Sequence, residues 1–252
     1  MIVRIDDGTR FAVLGNKPHS PAPVVFLFAL DCETTLTEAR YSRVGQLLAS
    51  RGYVCVSLDM PCHGEDAKQE EPTHLAGWRM RADRGENFVA QFTDRASAVL
   101  DYLIREHYAD ARKVAACGTS RGGFMAVHFA AADSRVGCAV GFSPVTDLLM
   151  LREFEGSPDD GLAAALSLSR ASARLVGRPL WICIGNNDSR VSTESALSFA
   201  SSLARSSREP GEPAMFEIHV MYSEGHHTPN GAHEMAAEWI QRQLAPANPG
   251  GK

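Results

Sequence analysis

Short apolar runs alternate with helical spacing along most of this chain, and that alternation admits few folds. Val24-Val25-Phe26-Leu27-Phe28-Ala29-Leu30 is uninterrupted, as expected of a strand buried on both faces. Tyr53 to Leu58, Val114 to Cys117, Val136 to Phe142, Pro179 to Gly185 and Phe216 to Met221 are further strand candidates. Helical patterns lie between them. Tyr41, Val44, Leu47 and Leu48 form one, closed by Gly52; Phe88, Phe92, Val99 and Leu103 mark a long second. Phe124 to Ala132 and about Thr193 to Ser206 follow, and Met235, Trp239 and Ile240 place the apolar face of a last helix. Crossovers of that length predict an α/β fold, a mostly parallel sheet with helices on both faces. Met1 to Leu14 alternates weakly around Asp6-Asp7-Gly8, which predicts a hairpin. No internal repeat or linker interrupts the pattern, so one domain over 1–252 is expected. Two stretches are too long for plain connections. Glu65–Arg84 is polar and irregular apart from Trp78; Val145–Gly177 lacks strand character, and 145–178 is expected to form a cap or lid. Both should cover the sheet rim outside the carboxyl ends of the strands, where ligands bind.

Ala116-Cys117-Gly118-Thr119-Ser120-Arg121-Gly122-Gly123 joins the strand Val114–Cys117 to the helix Phe124–Ala132. As a bare pattern, Gly-x-Ser-x-Gly also describes a Gly/Ser turn without chemistry. Between a strand and a helix it reads as a turn so tight that the serine is strained and its hydroxyl lifted clear of the sheet. Gly118 and Gly122 then stand where the two backbones nearly touch and a Cβ would collide. A serine hydroxyl is a poor nucleophile at neutral pH. It needs a base within hydrogen-bond reach and an acid to orient that base. Loops after later strands offer both: Gly185-Asn186-Asn187-Asp188-Ser189-Arg190-Val191 follows Pro179–Ile184, and Gly225-His226 follows Phe216–Met221.

The order Ser, Asp, His is that of the α/β-hydrolases, and from about Pro23 to Leu244 the chain resembles that superfamily. Gly118-Thr119-Ser120-Arg121-Gly122-Gly123 is similar to the elbow of its prolyl-oligopeptidase-like and dienelactone-hydrolase-like branch. Gly185-x-x-Asp188-x-x-Val191 resembles the acid loop, Glu224-Gly225-His226 the histidine loop, and Asp59-x-Pro61-x-His63-Gly64 the family's Asp-x-Pro-Gly-x-Gly turn. The resemblance implies an α/β-hydrolase fold with Ser120 as nucleophile, Asp188 as acid and His226 as base. It further implies an oxyanion hole built from the Arg121 amide and an amide of Leu30 or Asp31. Two departures stand out. Ala29-Leu30-Asp31 replaces the usual His-Gly, and Ser120 stands where dienelactone hydrolases proper carry a cysteine. The propeller domain of prolyl oligopeptidases has no room in 252 residues.

Each assignment has rivals. His227 competes with His226 as base, and Asp147, after Val136–Phe142, competes with Asp188 as acid. His63 reads as a turn residue and His219 as a satisfied core histidine. Trp78, Arg81 and Arg84 are candidates to line the pocket, although packing and solvated charge would account for them as well. Leu149, Leu151, Leu162 and Leu166 suggest an apolar pocket wall or a core helix. Asp31, standing in the oxyanion loop, either caps its own turn through the amides of Glu33 or Thr34 or meets a cationic substrate group.

The function expected is a serine hydrolase acting on a small ester, thioester or amide, with no cofactor. The same triad also serves perhydrolase or haloperoxidase-like reactions and carbon–carbon hydrolysis, and a non-catalytic ligand-binding homologue is a third reading. No histidine–carboxylate cluster has zinc spacing, so no metal is expected. A net charge of −5 without a basic cluster argues against nucleic acid and anionic membranes as partners. The six cysteines form no C-x-x-C pair, and most sit in apolar runs as small hydrophobes, which favours a reducing compartment. With acids near the N-terminus and no span-length apolar run, a cytoplasmic protein is expected.

Overall fold

The computed structural model describes residues 1–208, 211 and 213–245; the Gly/Pro-rich tail from Pro246 lies outside them. In chain order the elements are β1 (Ile2–Arg4), β2 (Arg10–Leu14), β3 (Ala22–Phe28), α1 (Cys32–Thr37), α2 (Ala39–Ala49), β4 (Val54–Leu58), α3 (His74–Asp83), α4 (Phe88–Arg105) and β5 (Ala109–Thr119). Then come α5 (Arg121–Ala132), β6 (Val136–Phe142), α6 (Leu162–Ala165), α7 (Leu168–Ala171), β7 (Leu180–Gly185), α8 (Thr193–Ser206), β8 (Phe216–Met221) and α9 (Ala232–Leu244). The strands form one eight-stranded sheet in the order β1-β2-β4-β3-β5-β6-β7-β8. The β1–β2 hairpin is antiparallel and β2 meets β4 antiparallel; every later pairing is parallel.

The period of two along the strands divides the core. Val24, Phe26 and Phe28 of β3 and Leu180, Ile182 and Ile184 of β7 face one layer, which includes α3, α4, α5 and α8. Val25, Leu27, Trp181 and Cys183 face the other, packed by α1, α2 and α9. Central strands are thus apolar on both sides, which is why they read as unbroken runs. The apolar face of α9 consists of Ala232, Ala236, Ala237, Trp239, Ile240 and Leu244. Met235, expected on that face, is 38% exposed. The alanines carry the packing there and leave little mark in a hydrophobic pattern.

The stretch 65–84 is not irregular: half of it is α3. Leu75, Trp78 and Ala82 are its buried apolar positions, at helical spacing. Between them Arg81 is buried too, and this charge masks the pattern. Its guanidinium donates to Glu71 Oε2 at 2.8 and 2.9 Å and to Asp66 Oδ1 at 2.7 Å. Such a pair offsets its own desolvation but becomes costly if either partner is removed. Trp78 donates from Nε1 to the Pro61 carbonyl at 2.7 Å.

Residues 145–177 form 3-10 turns and the short helices α6 and α7. Leu151 and Leu166 are buried in the sheet-facing core, with Leu149 and Leu162 packed against it. None of the four lines the cavity at Ser120, so the apolar-wall reading gives way to core packing. One anchor of this segment is His128 on α5, whose Nε2–H donates to the Leu166 carbonyl at 2.9 Å.

Burial pulls the His128 imidazole down to about 4, despite the carbonyl it faces. An unfolded chain protonates histidine near pH 6.5. Between those values the unfolded state holds the extra proton, so stability present above 6.5 falls as pH drops towards 4. The slope from this one group is about 1.4 kcal/mol per pH unit. Urea titrations at pH 7 and pH 5 should therefore show a smaller acid loss in His128→Leu than in the wild type; equal losses would contradict the assignment.

Candidate active site

Sterics build the site around Ser120. Its backbone sits at φ 56°, ψ −117°, a conformation L-residues adopt only when packing enforces it. A Cβ on Gly122 would lie 1.8 Å from the Phe28 carbonyl oxygen, and one on Gly118 would lie 2.2 Å from the Gly122 backbone. Ends of β3 and β5 and the start of α5 therefore meet at distances only glycine permits. Ser120 N–H donates to the Phe142 carbonyl at 2.8 Å, and Ser120 O accepts from Val145 N at 3.1 Å. Ser120 Oγ is left facing a cavity of about 380 Å³ lined by Ala29, Leu30, Tyr41, Arg121, Ser143 and His226, among others.

His226 Nε2 lies 3.0 Å from Ser120 Oγ, and His226 Nδ1 lies 2.8 Å from Asp188 Oδ2. The loops that hold these side chains are themselves pinned. Asp188 Oδ1 accepts from the amides of Arg190 at 3.0 Å and Val191 at 3.2 Å. Thr193 Oγ1 donates to the Gly185 carbonyl at 2.7 Å and lies 3.2 Å from Asp188 N, so it accepts that amide's proton. Asn186 Oδ1 accepts from Ser223 N at 3.1 Å, tying the acid loop to the histidine loop. Gly225 takes φ +89° immediately before His226. The Asp188 side chain is fully buried and that of His226 is partly exposed. Burial raises the Asp188 carboxyl, but the hydrogen bond and charge of His226, with the two amides, outweigh it. The net shift is downward, so Asp188 stays ionised.

The rival residues make other contacts. Asp147 caps a 3-10 turn through Leu149 N at 3.0 Å. His227 lines the same cavity, and its carbonyl accepts from Ser143 Oγ at 3.2 Å. His219, on the edge strand β8, is half-buried against Trp181 and Glu217. Trp78, Arg81 and Arg84 do not line the cavity.

Of the oxyanion candidates, the Arg121 amide is the first of α5 and has no intrahelical acceptor. Leu30 lines the cavity, but its amide donates to Thr35 Oγ1 at 3.0 Å. Asp31 is the N-cap of α1: its Oδ1 accepts from Glu33 N at 3.1 Å and Thr34 N at 2.9 Å. Burial raises its carboxyl, these bonds lower it further, and the balance is downward. Its charge is thus held by the α1 N-terminus.

His63 is more than a turn residue. It is buried and its Nδ1 lies 2.8 Å from the Pro61 carbonyl. Its Nε2 faces Arg121 Nη1 at 2.9 Å and His74 Nδ1 at 2.8 Å. Neither His74 nor the Arg121 side chain was marked by any motif. Among the described residues no group of His, Cys, Asp and Glu is placed to hold a metal ion. No described helix is long and apolar enough to cross a membrane.

Residues 39–245 match the model of the prolyl oligopeptidase family. The chain belongs to that family of serine hydrolases. No curated protein matches the sequence. Among solved structures, a cold-adapted esterase from an Arctic intertidal metagenomic library is similar at 18% identity and TM-score 0.69, covering 97% of this chain and 93% of its own. An acetyl xylan esterase from Paenibacillus sp. R4 matches at 17% identity and TM-score 0.70, over 96% of this chain and 82% of its own. A putative dipeptidyl aminopeptidase IV from Bacteroides ovatus matches at 14% identity and TM-score 0.70, over 97% of this chain but 35% of its own. At these identities the likeness is one of fold, the α/β-hydrolase fold.

The steric argument has a direct check. Gly122→Ala must push β3 from α5, and overpacking a site with no flexible neighbour should destabilise the protein by about 3 kcal/mol or more. Thermal melting should show a drop in Tm of many degrees; an unchanged Tm would mean the elbow can relax.

Proposed function

We propose that this member of the family cleaves a small ester, thioester or amide through an acyl-enzyme on Ser120. The reading is supported above all by the continuous hydrogen-bond path Ser120–His226–Asp188, with steps of 3.0 and 2.8 Å, at a strained serine facing a cavity. In this reaction Ser120 Oγ attacks the carbonyl carbon while its proton passes to His226 Nε2. His226 Nδ1–H donates to Asp188, which fixes the tautomer and stabilises the imidazolium. The Arg121 amide, at the N-terminus of α5, donates to the developing oxyanion. Collapse of the tetrahedral intermediate breaks the bond to the alcohol, thiol or amine, which leaves with the proton from His226. Water then repeats the sequence on the acyl-enzyme, releasing the acid and restoring Ser120. No step calls for a cofactor.

Ser120→Ala should lower ester hydrolysis by roughly 10⁴ to 10⁶ and abolish labelling by a fluorophosphonate probe, with the fold intact by circular dichroism. Labelling at the wild-type rate would refute the nucleophile. Asp188→Asn should lower kcat by about 10⁴ through the wrong histidine tautomer, whereas Asp147→Asn should leave it within a few-fold. The reverse pattern would move the acid to Asp147.

A further inference from the structure

Arg121 follows Ser120 directly and is among the residues lining the same cavity. Among the described residues it has no carboxylate within ion-pair distance. Its only side-chain partners there are imidazoles, His63 Nε2 at 2.9 Å and His74 Nδ1 at 3.3 Å, both reached by Nη1. Nε and Nη2, the edge of the guanidinium that grips a carboxylate in two-pronged fashion, have no partner among the described residues. Nearby Glu153 is already held by Arg190 Nη2 at 2.7 and 2.8 Å.

The histidines fix the direction of Arg121 without cancelling its charge. His63 Nδ1 lies against the Pro61 carbonyl at 2.8 Å. It must donate there, which leaves Nε2 as an acceptor. Burial pulls the His63 imidazole down to about 4, so it is neutral at physiological pH. Burial likewise pulls the Arg121 guanidinium below its usual value, with the Tyr41 hydroxyl opposing this and the Arg190 charge adding to it. A charge withdrawn from water with no counter-ion is unfavourable until a ligand supplies one. The backbone around the pair is also strained: Cys62 and His74 both take φ 60°, and His74 N–H donates to the Cys62 carbonyl at 3.0 Å. Strain of that kind persists where a particular side-chain position is enforced.

The rest of the cavity agrees. Arg40, already paired with Glu38, lines it as well, and no Asp or Glu does. Arg121 is thus the cationic lining group without a carboxylate partner among the described residues. An amine-bearing substrate would meet repulsion here.

We propose that the substrate is an anionic ester, whose acyl part carries a carboxylate that pairs with the Arg121 guanidinium. The proposal rests on the serine-hydrolase reading and adds the substrate class to it.

The test uses monomethyl succinate, glutarate and adipate, each against the neutral ester in which a methyl ketone replaces the carboxylate, followed by pH-stat titration. The wild type should show a kcat/KM at least tenfold higher for one or more of the hemi-esters than for its neutral counterpart. That ratio should shrink as NaCl rises from 20 to 500 mM. Arg121→Gln, which keeps the backbone amide, should lower the ratio tenfold or more. A wild-type ratio of one or below for all three pairs, or a ratio unmoved by Arg121→Gln, overturns the proposal. If Arg121→Gln does not fold, the wild-type ratio and its salt dependence decide. Turnover of neutral esters with no anionic preference leaves the hydrolase reading standing while this inference falls. No turnover of any ester together with no fluorophosphonate labelling of Ser120 brings down both.

Discussion

The approach of the Gly122 backbone to the Phe28 carbonyl is the contact on which the site depends. It brings the end of β3 against the start of α5 at a distance no side chain would allow. Ser120, between β5 and α5, is thereby forced to positive φ. Strain of this kind costs about 1–3 kcal/mol. It is held by Ser120 N–H on the Phe142 carbonyl at the end of β6 and by Val145 N on Ser120 O. The clamp draws on β3, β5 and β6, which are neighbours only because the chain crosses over in the order the sheet shows. Fold and the geometry at Ser120 are in this sense a single packing problem.

That dependence explains what was legible in the sequence. Strands buried on both faces leave unbroken apolar runs, so β3, β4, β6 and β7 stand out. The glycines of the elbow are legible because their cause is steric and local. Helix α3 is not legible, because Arg81 sits among its buried positions and is neutralised by Asp66 and Glu71, partners 15 and 10 residues away. The face of α9 is only partly legible, because Ala232, Ala236 and Ala237 do the packing and Met235 is exposed.

The same contrast runs through the site. Ser120, Asp188 and His226 each follow a strand of the parallel sheet, and parallel strands deliver their carboxyl ends to one edge. Their meeting follows from topology, so strand order and motif spacing suffice to anticipate it. The supporting contacts do not follow in this way. Asn186 with Ser223, Arg190 with Glu153, and Arg121 with His63 and His74 are pairs of polar side chains far apart in sequence. No periodicity records them. Asp31 was legible only as two alternatives, and the structure takes the first: the carboxylate caps α1.

Asp31 also shows how the site arranges its charge. A free carboxylate at about 7 Å from the reacting carbonyl, at an effective dielectric of about 20, would oppose the developing oxyanion by about 2 kcal/mol. Every carboxylate discussed here has its charge engaged. Asp31 accepts two amides of α1, and Asp188 uses one oxygen on His226 and the other on two amides. Glu153 is held by Arg190, and Glu38 pairs with Arg40 at 2.8 Å. Arg121 differs from all of these in facing only imidazole. In the proposed reaction this one residue would supply a backbone amide to the oxyanion and, through its side chain, a positive charge with no carboxylate partner among the described residues. The elbow that fixes the amide fixes the root of the guanidinium as well. Under the proposed function, catalytic geometry and the choice of substrate charge would therefore be coupled through the backbone at a single position.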